Sequence, residues 1–93
     1  MMLTMIRKTV FYSGHVHGVG FRYAVNQAAG GFNVTGFVRN LSDGRVELVA
    51  EGQEDEIDGL FNEVQREMGQ FIKDAKVSTT PTPGHYDSFD IAY

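Results

Sequence analysis

The chain has no cysteine among its 93 residues, only two prolines, and no run of eighteen apolar residues. Each absence removes a class of protein. Without thiols there is no disulfide framework, no thiolate nucleophile and no thiolate metal site. A helix that crosses a bilayer needs about 20 apolar residues. The stretch Met1–Val10 offers only a short apolar patch interrupted by Thr4, Arg7 and Lys8, too weak for a signal peptide. The expectation is a cytoplasmic protein without membrane association, its start lying at either Met1 or Met2. Positive charge is also scarce: eight Lys and Arg stand against twelve Asp and Glu, a net charge of −4. Nucleic-acid binders concentrate positive charge on one face, so the balance speaks against such a partner. It leaves anionic small molecules open, because one arginine and a ring of backbone N–H groups hold a phosphate well inside an acidic protein.

What is present suits one ordered domain spanning 1–93. Apolar residues make up 42 % of the chain, with seven Phe and four Tyr as bulky filling. Residues 7–13 (RKTVFYS) are β-formers closed by Gly14 and read as a first strand. Phe21, Val25 and Ala28–Ala29 recur at helical spacing and stop at Gly30–Gly31, predicting a helix over Phe21–Ala29. Residues 34–41 and 45–51 flank Ser42-Asp43-Gly44, a hairpin signal. In the second arm Val46, Leu48 and Ala50 alternate with Arg45, Glu47, Val49 and Glu51, predicting one apolar and one mostly solvated face. Ile57, Leu60, Phe61, Val64 and Met68 form the stripe of a second helix ended by Gly69. Residues 71–79 read as a fourth strand, and Phe89, Ile91 and Tyr93 share one face of a last short one.

The order β-α-β-β-α-β with a terminal strand added is the α+β, ferredoxin-like arrangement: an antiparallel sheet with both helices on one face. Its first two strands run in the same direction. The C-terminal end of the second strand, at Asn40, therefore lies on the same sheet edge as the loop after the first. With one strand between them, the two sit roughly 10 Å apart, twice the interstrand spacing.

That loop, Gly14-His15-Val16-His17-Gly18-Val19-Gly20-Phe21-Arg22, joins a strand to a helix. Its glycines permit successive N–H groups to converge on one point, and the helix N-terminus adds its own. Arg22 supplies a planar fork of donors for two phosphate oxygens. The spacing is neither a dinucleotide fingerprint nor a Walker A loop, which needs Lys-Ser/Thr after the last glycine. On composition alone a glycine-rich turn beside a solvated arginine is an equal reading, and Asn40 alone reads as a strand-end residue bonding the Ser42-Asp43-Gly44 turn.

The string Gly14-x-Val16-x-Gly18-Val19-Gly20-Phe21-Arg22, followed by Gly36-Phe37-Val38-Arg39-Asn40-Leu41-x-Asp43-Gly44-x-Val46-Glu47, resembles the two signature blocks of the acylphosphatases. Glu51-Gly52 and the final Phe89-x-Ile91 extend the resemblance over nearly the whole chain. It implies a metal-free, cofactor-free hydrolase of acyl phosphates, with a small-molecule substrate and no nucleic-acid or membrane partner. It also implies the roles: backbone amides of His17, Gly18, Val19, Gly20 and Phe21 and the side chain of Arg22 bind the phosphate, and Asn40 positions the attacking water. Most members carry Gln where this chain has His17, and Gly69–Val77 is longer than usual and lacks a proline after Gly69. Oligomeric state is not encoded in the pattern; a monomer is the expectation.

Other readings rest on other residues. His15 and His17, two apart on extended chain, could face one metal, though only His85 or a carboxylate is available as a third ligand. His17 could also serve as a phosphorylated nucleophile. Phe11, Tyr12 and Phe37 could lie on the open sheet face and stack RNA bases, but the string that marks such sheets and the basic balance are both missing. A domain that senses an acyl or carbamoyl phosphate without cleaving it is a further alternative. The carboxylates along the second helix, from Glu54 to Glu67, read as a solvated face.

Overall fold

A computed structural model describes residues 5–93; Met1, Met2 and Thr4 of the N-terminal patch lie outside the described residues. The chain runs β1 (Ile6–Gly14), α1 (Phe21–Ala29), β2 (Val34–Asn40), β3 (Val46–Gly52), α2 (Glu54–Met68), a 3₁₀ turn at Gly69–Phe71, β4 (Ile72–Pro81) and β5 (Phe89–Ala92). The sheet order is β4-β1-β3-β2-β5. The first four strands pair antiparallel, as the ferredoxin-like pattern requires, while β5 joins β2 in parallel and makes the five-stranded sheet mixed.

Alternation along the strands and four-residue spacing along the helices aim one set of side chains into a shared core. Val10 and Tyr12 from β1, Val38 from β2, and Val46, Leu48 and Ala50 from β3 meet Phe21, Val25 and Ala29 of α1 and Ile57, Leu60, Val64 and Met68 of α2. Burying each of the larger ones contributes about 1.5–3 kcal/mol. Phe61, expected on the stripe, is only partly buried at its rim. Glu54, Asp55 and Glu56 occupy the first turn of α2, where negative charge complements the helix dipole. Strand β4 pairs with β1 alone, its residues 73–81 are exposed, and Lys73 and Lys76 place charge on this free edge.

One expectation is corrected. The second face of β3 is not mostly solvated, for Val49 is 5 % and Glu51 only 1 % exposed. The connection 82–88 has to travel from one edge of the sheet to the other, and it crosses the helix-free face over β3. Glu51 fastens it there. Its carboxylate accepts hydrogen bonds from Arg7 Nε (2.9 Å), the Thr82 hydroxyl (2.9 Å) and the His85 N–H (2.7 Å), with Arg7 Nη2 at 2.7 Å. A buried carboxylate is tolerable only when it is bonded and paired in this way.

Burial pushes the Glu51 carboxyl up, but the His85 N–H, Arg7 and Thr82 outweigh it and hold the group below the ordinary glutamate range. A depressed folded-state value means stability that is present above the unfolded value of about 4.3 and is lost as pH falls through the lower folded value. Glu51→Gln should therefore cost roughly 1–3 kcal/mol near neutral pH, the range for an imperfectly satisfied buried group. In urea unfolding the gap between the two proteins should narrow between pH 5 and pH 3. Parallel titration of both proteins over that range would remove Glu51 as the source.

Candidate active site

Strand β3 sets the level of the site. Val46 pairs with Tyr12 on one side and Asn40 on the other. The loop that leaves β1 just beyond Tyr12 and the end of β2 at Asn40 thus stand at the same height, two strand spacings or roughly 10 Å apart.

The loop's ends are pinned and its middle is backbone. At its start, the His15 N–H donates to the Phe71 carbonyl at 2.9 Å, and Val16 is buried in the core. At its end, Phe21 is buried and packs on Tyr12 with ring centroids 5.2 Å apart. Between them Gly18 and Gly20 adopt φ of +76° and +77°, the left-handed conformation that residues with a Cβ resist. Gly20 is the residue from which α1 starts, and its carbonyl takes the first helical bond from Ala24 N. The first-turn N–H groups have no acceptor within the helix, and such an end is suited to an anion.

Arg22 stands in that first turn. Arg7, Arg39, Arg45 and Arg66 are each paired with a carboxylate: Glu51, Glu47, Asp43 and Glu63. Among the described residues, Arg22 has no such partner. The groups it touches are uncharged, the Ala92 carbonyl at a long 3.5 Å from Nη1 and the ring of Tyr93, 4.9 Å from the guanidinium carbon. Its charge is left for a ligand.

Asn40 is half-buried, and among the described residues its side chain bonds to no protein group. Closure of the following turn, which a strand-end role would give to Asn40, is carried by others. Leu41 N donates to the Arg45 carbonyl at 2.8 Å, Gly44 N to the Leu41 carbonyl at 3.1 Å, and Arg45 N to the Asp43 carboxylate at 3.1 Å. The turn-bonding role of Asn40 is therefore set aside.

Arg22 and Asn40 line one cavity of about 270 Å³ together with Gly18, Gly20, Phe21, Val16, Tyr23, Ile91 and Tyr93. Such a volume, near the lower end of the range for ligand pockets, suits a small substrate. Of the expected phosphate-loop residues, His17 and Val19 do not line it. The His17 ring turns away, placing Nε2 at 3.0 Å from the Arg45 carbonyl, and Val19 packs against the core. Tyr23 and Tyr93 carry no sequence signal for a site, and Ile91 appears only within the Phe89-x-Ile91 string; the parallel docking of β5 on β2 brings Ile91, and Tyr93 just beyond it, to the cavity.

Two other readings lose their geometry. The histidines do not converge: His15 lies against Phe71, His17 bonds Arg45, and His85 stands by Tyr86 beyond the Glu51 anchor. Among the described residues no three His, Asp or Glu side chains form a metal-binding group. Nor, among the described residues, do the aromatics form an open platform. Tyr12 faces the core and is 3 % exposed, Phe11 lies under the Arg45 guanidinium, and Phe37 is covered by Arg39 and by Tyr86, whose ring meets it edge-on at 5.7 Å. Along α2, Glu54 and Asp58 pair with Lys8 and Glu63 with Arg66. Among the described residues, no helix is long and apolar enough to cross a membrane.

The family model for acylphosphatases matches residues 8–91. An acylphosphatase of Bacillus licheniformis is 36 % identical over 90 residues, covering 96 % of this chain and all of that one. One of Archaeoglobus fulgidus is 35 % identical over 95 residues with the same coverage. The crystal structure of the Bacillus subtilis acylphosphatase superposes with a TM-score of 0.86 at 31 % identity, over 95 % of this chain and 99 % of that one.

An added Cβ at Gly20 meets no atom within 4 Å, so only the backbone conformation opposes it. Gly20→Ala should lose about 1–2 kcal/mol of stability in urea unfolding. Protection of the protein by inorganic phosphate in thermal unfolding should shrink as the loop relaxes. Unchanged stability and unchanged protection together would show that the left-handed turn is not needed.

Proposed function

The chain belongs to the acylphosphatase family, and on that premise we propose that it hydrolyses acyl phosphates by in-line attack of a water oriented by Asn40 on a phosphate held by Arg22 and the loop amides. Products are the carboxylate and inorganic phosphate. The single observation that carries the residue assignment is the shared cavity, which brings the one arginine lacking a carboxylate partner among the described residues to an asparagine whose side chain is likewise uncommitted.

An acyl phosphate is a mixed anhydride whose leaving group, a carboxylate, needs little help from an acid. Catalysis can then consist of positioning and charge stabilisation. Arg22 and the loop amides that line the cavity, at Gly18, Gly20 and Phe21, neutralise the equatorial phosphoryl oxygens as charge redistributes toward the transition state. The groups Arg22 touches, the Ala92 carbonyl and the Tyr93 ring, carry no formal charge, which supports this role, because a carboxylate in their place would compete with the substrate for the same donors. The Asn40 amide oxygen accepts a hydrogen bond from the water and aims its lone pair at phosphorus, opposite the leaving oxygen. An amide is too weak a base to remove the proton, so the substrate's phosphoryl oxygen takes it. No step in this scheme requires a metal or an organic cofactor. In the cell the protein acts in the cytoplasm on small acyl phosphates.

The wild-type protein should hydrolyse benzoyl phosphate in the presence of EDTA. Arg22→Ala should lower kcat/KM by about 10²–10³, as for other preorganised donors. Asn40→Ala should reduce kcat while leaving competitive inhibition by inorganic phosphate in place. Turnover that survives both substitutions would refute the assignment; phosphate binding with no wild-type turnover would favour a sensor of acyl phosphates instead.

A further inference from the structure

We propose that the side chain of His17 is a positioning residue for this reaction: by donating from Nε2 to the Arg45 carbonyl, it clamps the phosphate loop to the β2–β3 turn and sets the distance between bound phosphate and the water held by Asn40. The proposal deepens the catalytic reading above and rests on it.

The loop needs such a clamp because of its composition. Val16 and Phe21 are anchored by burial, 1 % and 2 % exposed, but Gly18 and Gly20 have no side chains with which to hold the segment between them. Glycine permits the left-handed turns that aim the amides inward and offers nothing to keep them there. From Val16 to Phe21, His17 is the one residue whose side chain hydrogen-bonds to another part of the chain, among the described residues, at 3.0 Å.

The acceptor it has chosen matters as much as the bond. The Arg45 carbonyl also accepts the Leu41 N–H at 2.8 Å, and a carbonyl oxygen has two lone pairs, enough for both. Leu41 directly follows Asn40. A single oxygen thus joins the backbone beside Asn40 to the loop that holds the phosphate.

That oxygen is itself well fixed. Arg45 N donates to Asp43 at 3.1 Å, Arg45 Nε reaches the same carboxylate at 2.8 Å, and the guanidinium lies 4.7 Å over the Phe11 ring. The Arg45 backbone N–H and guanidinium hold the Asp43 carboxyl below its ordinary range, so this pair stays charged. Because the carbonyl only accepts, Nε2 carries the proton. The neutral Nε2–H tautomer and the imidazolium both satisfy the bond. His17 lines no part of the cavity, so it acts through the backbone rather than by touching substrate.

Loss of the clamp has a recognisable kinetic signature. Phosphate is bound by Arg22 and the amides, whereas the rate depends on water and phosphorus being in line, where a displacement of about 1 Å can cost on the order of 10²-fold. The effect belongs in kcat. Three variants separate reach from donor chemistry: His17→Gln keeps a donor at matching length, His17→Met keeps length without a donor, and His17→Asn keeps the donor but is one methylene short. Each is assayed with benzoyl phosphate, with inorganic phosphate as competitive inhibitor and urea unfolding as a check on the fold.

His17→Gln should retain kcat within about threefold of wild type, while His17→Met and His17→Asn fall by about tenfold or more, all three with nearly unchanged inhibition by phosphate. Equal kcat in the Gln and Met variants would overturn the proposal, as would a loss confined to phosphate affinity. Wild-type turnover together with an inactive Arg22→Ala upholds the catalytic reading whatever the His17 variants do, and an inactive wild type sinks both.

Discussion

Everything at the cavity end of the sheet depends on the double pairing of β3. Running antiparallel to both β1 and β2, it forces those two strands to point the same way, and Val46 sets their register by standing opposite Tyr12 and Asn40 at once. A slip of one residue in either ladder would turn the apolar face of a strand to solvent. The core therefore defends the register, with Val46, Leu48 and Ala50 fully buried along β3. Hydrophobic burial along β3 thus fixes where Asn40 stands relative to the β1–α1 loop.

Charge in the site is organised by subtraction. In an acidic chain most cations are absorbed by carboxylates, and four of the five arginines are paired in this way. The first turn of α1 carries no acidic residue, and the guanidinium of Arg22 meets the carbonyl of Ala92 at the end of β5 and the ring of Tyr93 just beyond it. An arginine without a carboxylate partner, set in the first turn of a helix, adds its charge to the positive end of the helix dipole.

Much of the architecture was legible from pattern. Helix α1 begins at Phe21 and ends at Ala29, where the periodicity placed it, and the stripe of α2 is the buried one apart from Phe61 at the rim. Three features were not legible. Glu51 alternates with apolar residues and so reads as solvated; its burial follows from a distant segment that crosses over it. Tyr12 reads, beside Phe11, as a candidate for the open sheet face; adjacent residues of a strand point to opposite faces, and Tyr12 is the one in the core. The His17 side chain reads as part of a binding loop, yet its bond runs to the neighbouring turn.

The sequence by itself determined the element order, the glycine-rich strand-to-helix loop with Arg22 behind it, and, through two same-direction strands, the nearness of that loop to Asn40. These are local matters: side-chain periodicity, backbone freedom at glycine, and a topology that follows from alternating elements. Tertiary structure alone decided which carboxylate would be buried, which tyrosine would cover the arginine, and where the His17 ring would turn. Each of these joins residues 28 to 71 positions apart, and no periodicity in a chain records contacts that only the folded sheet brings together.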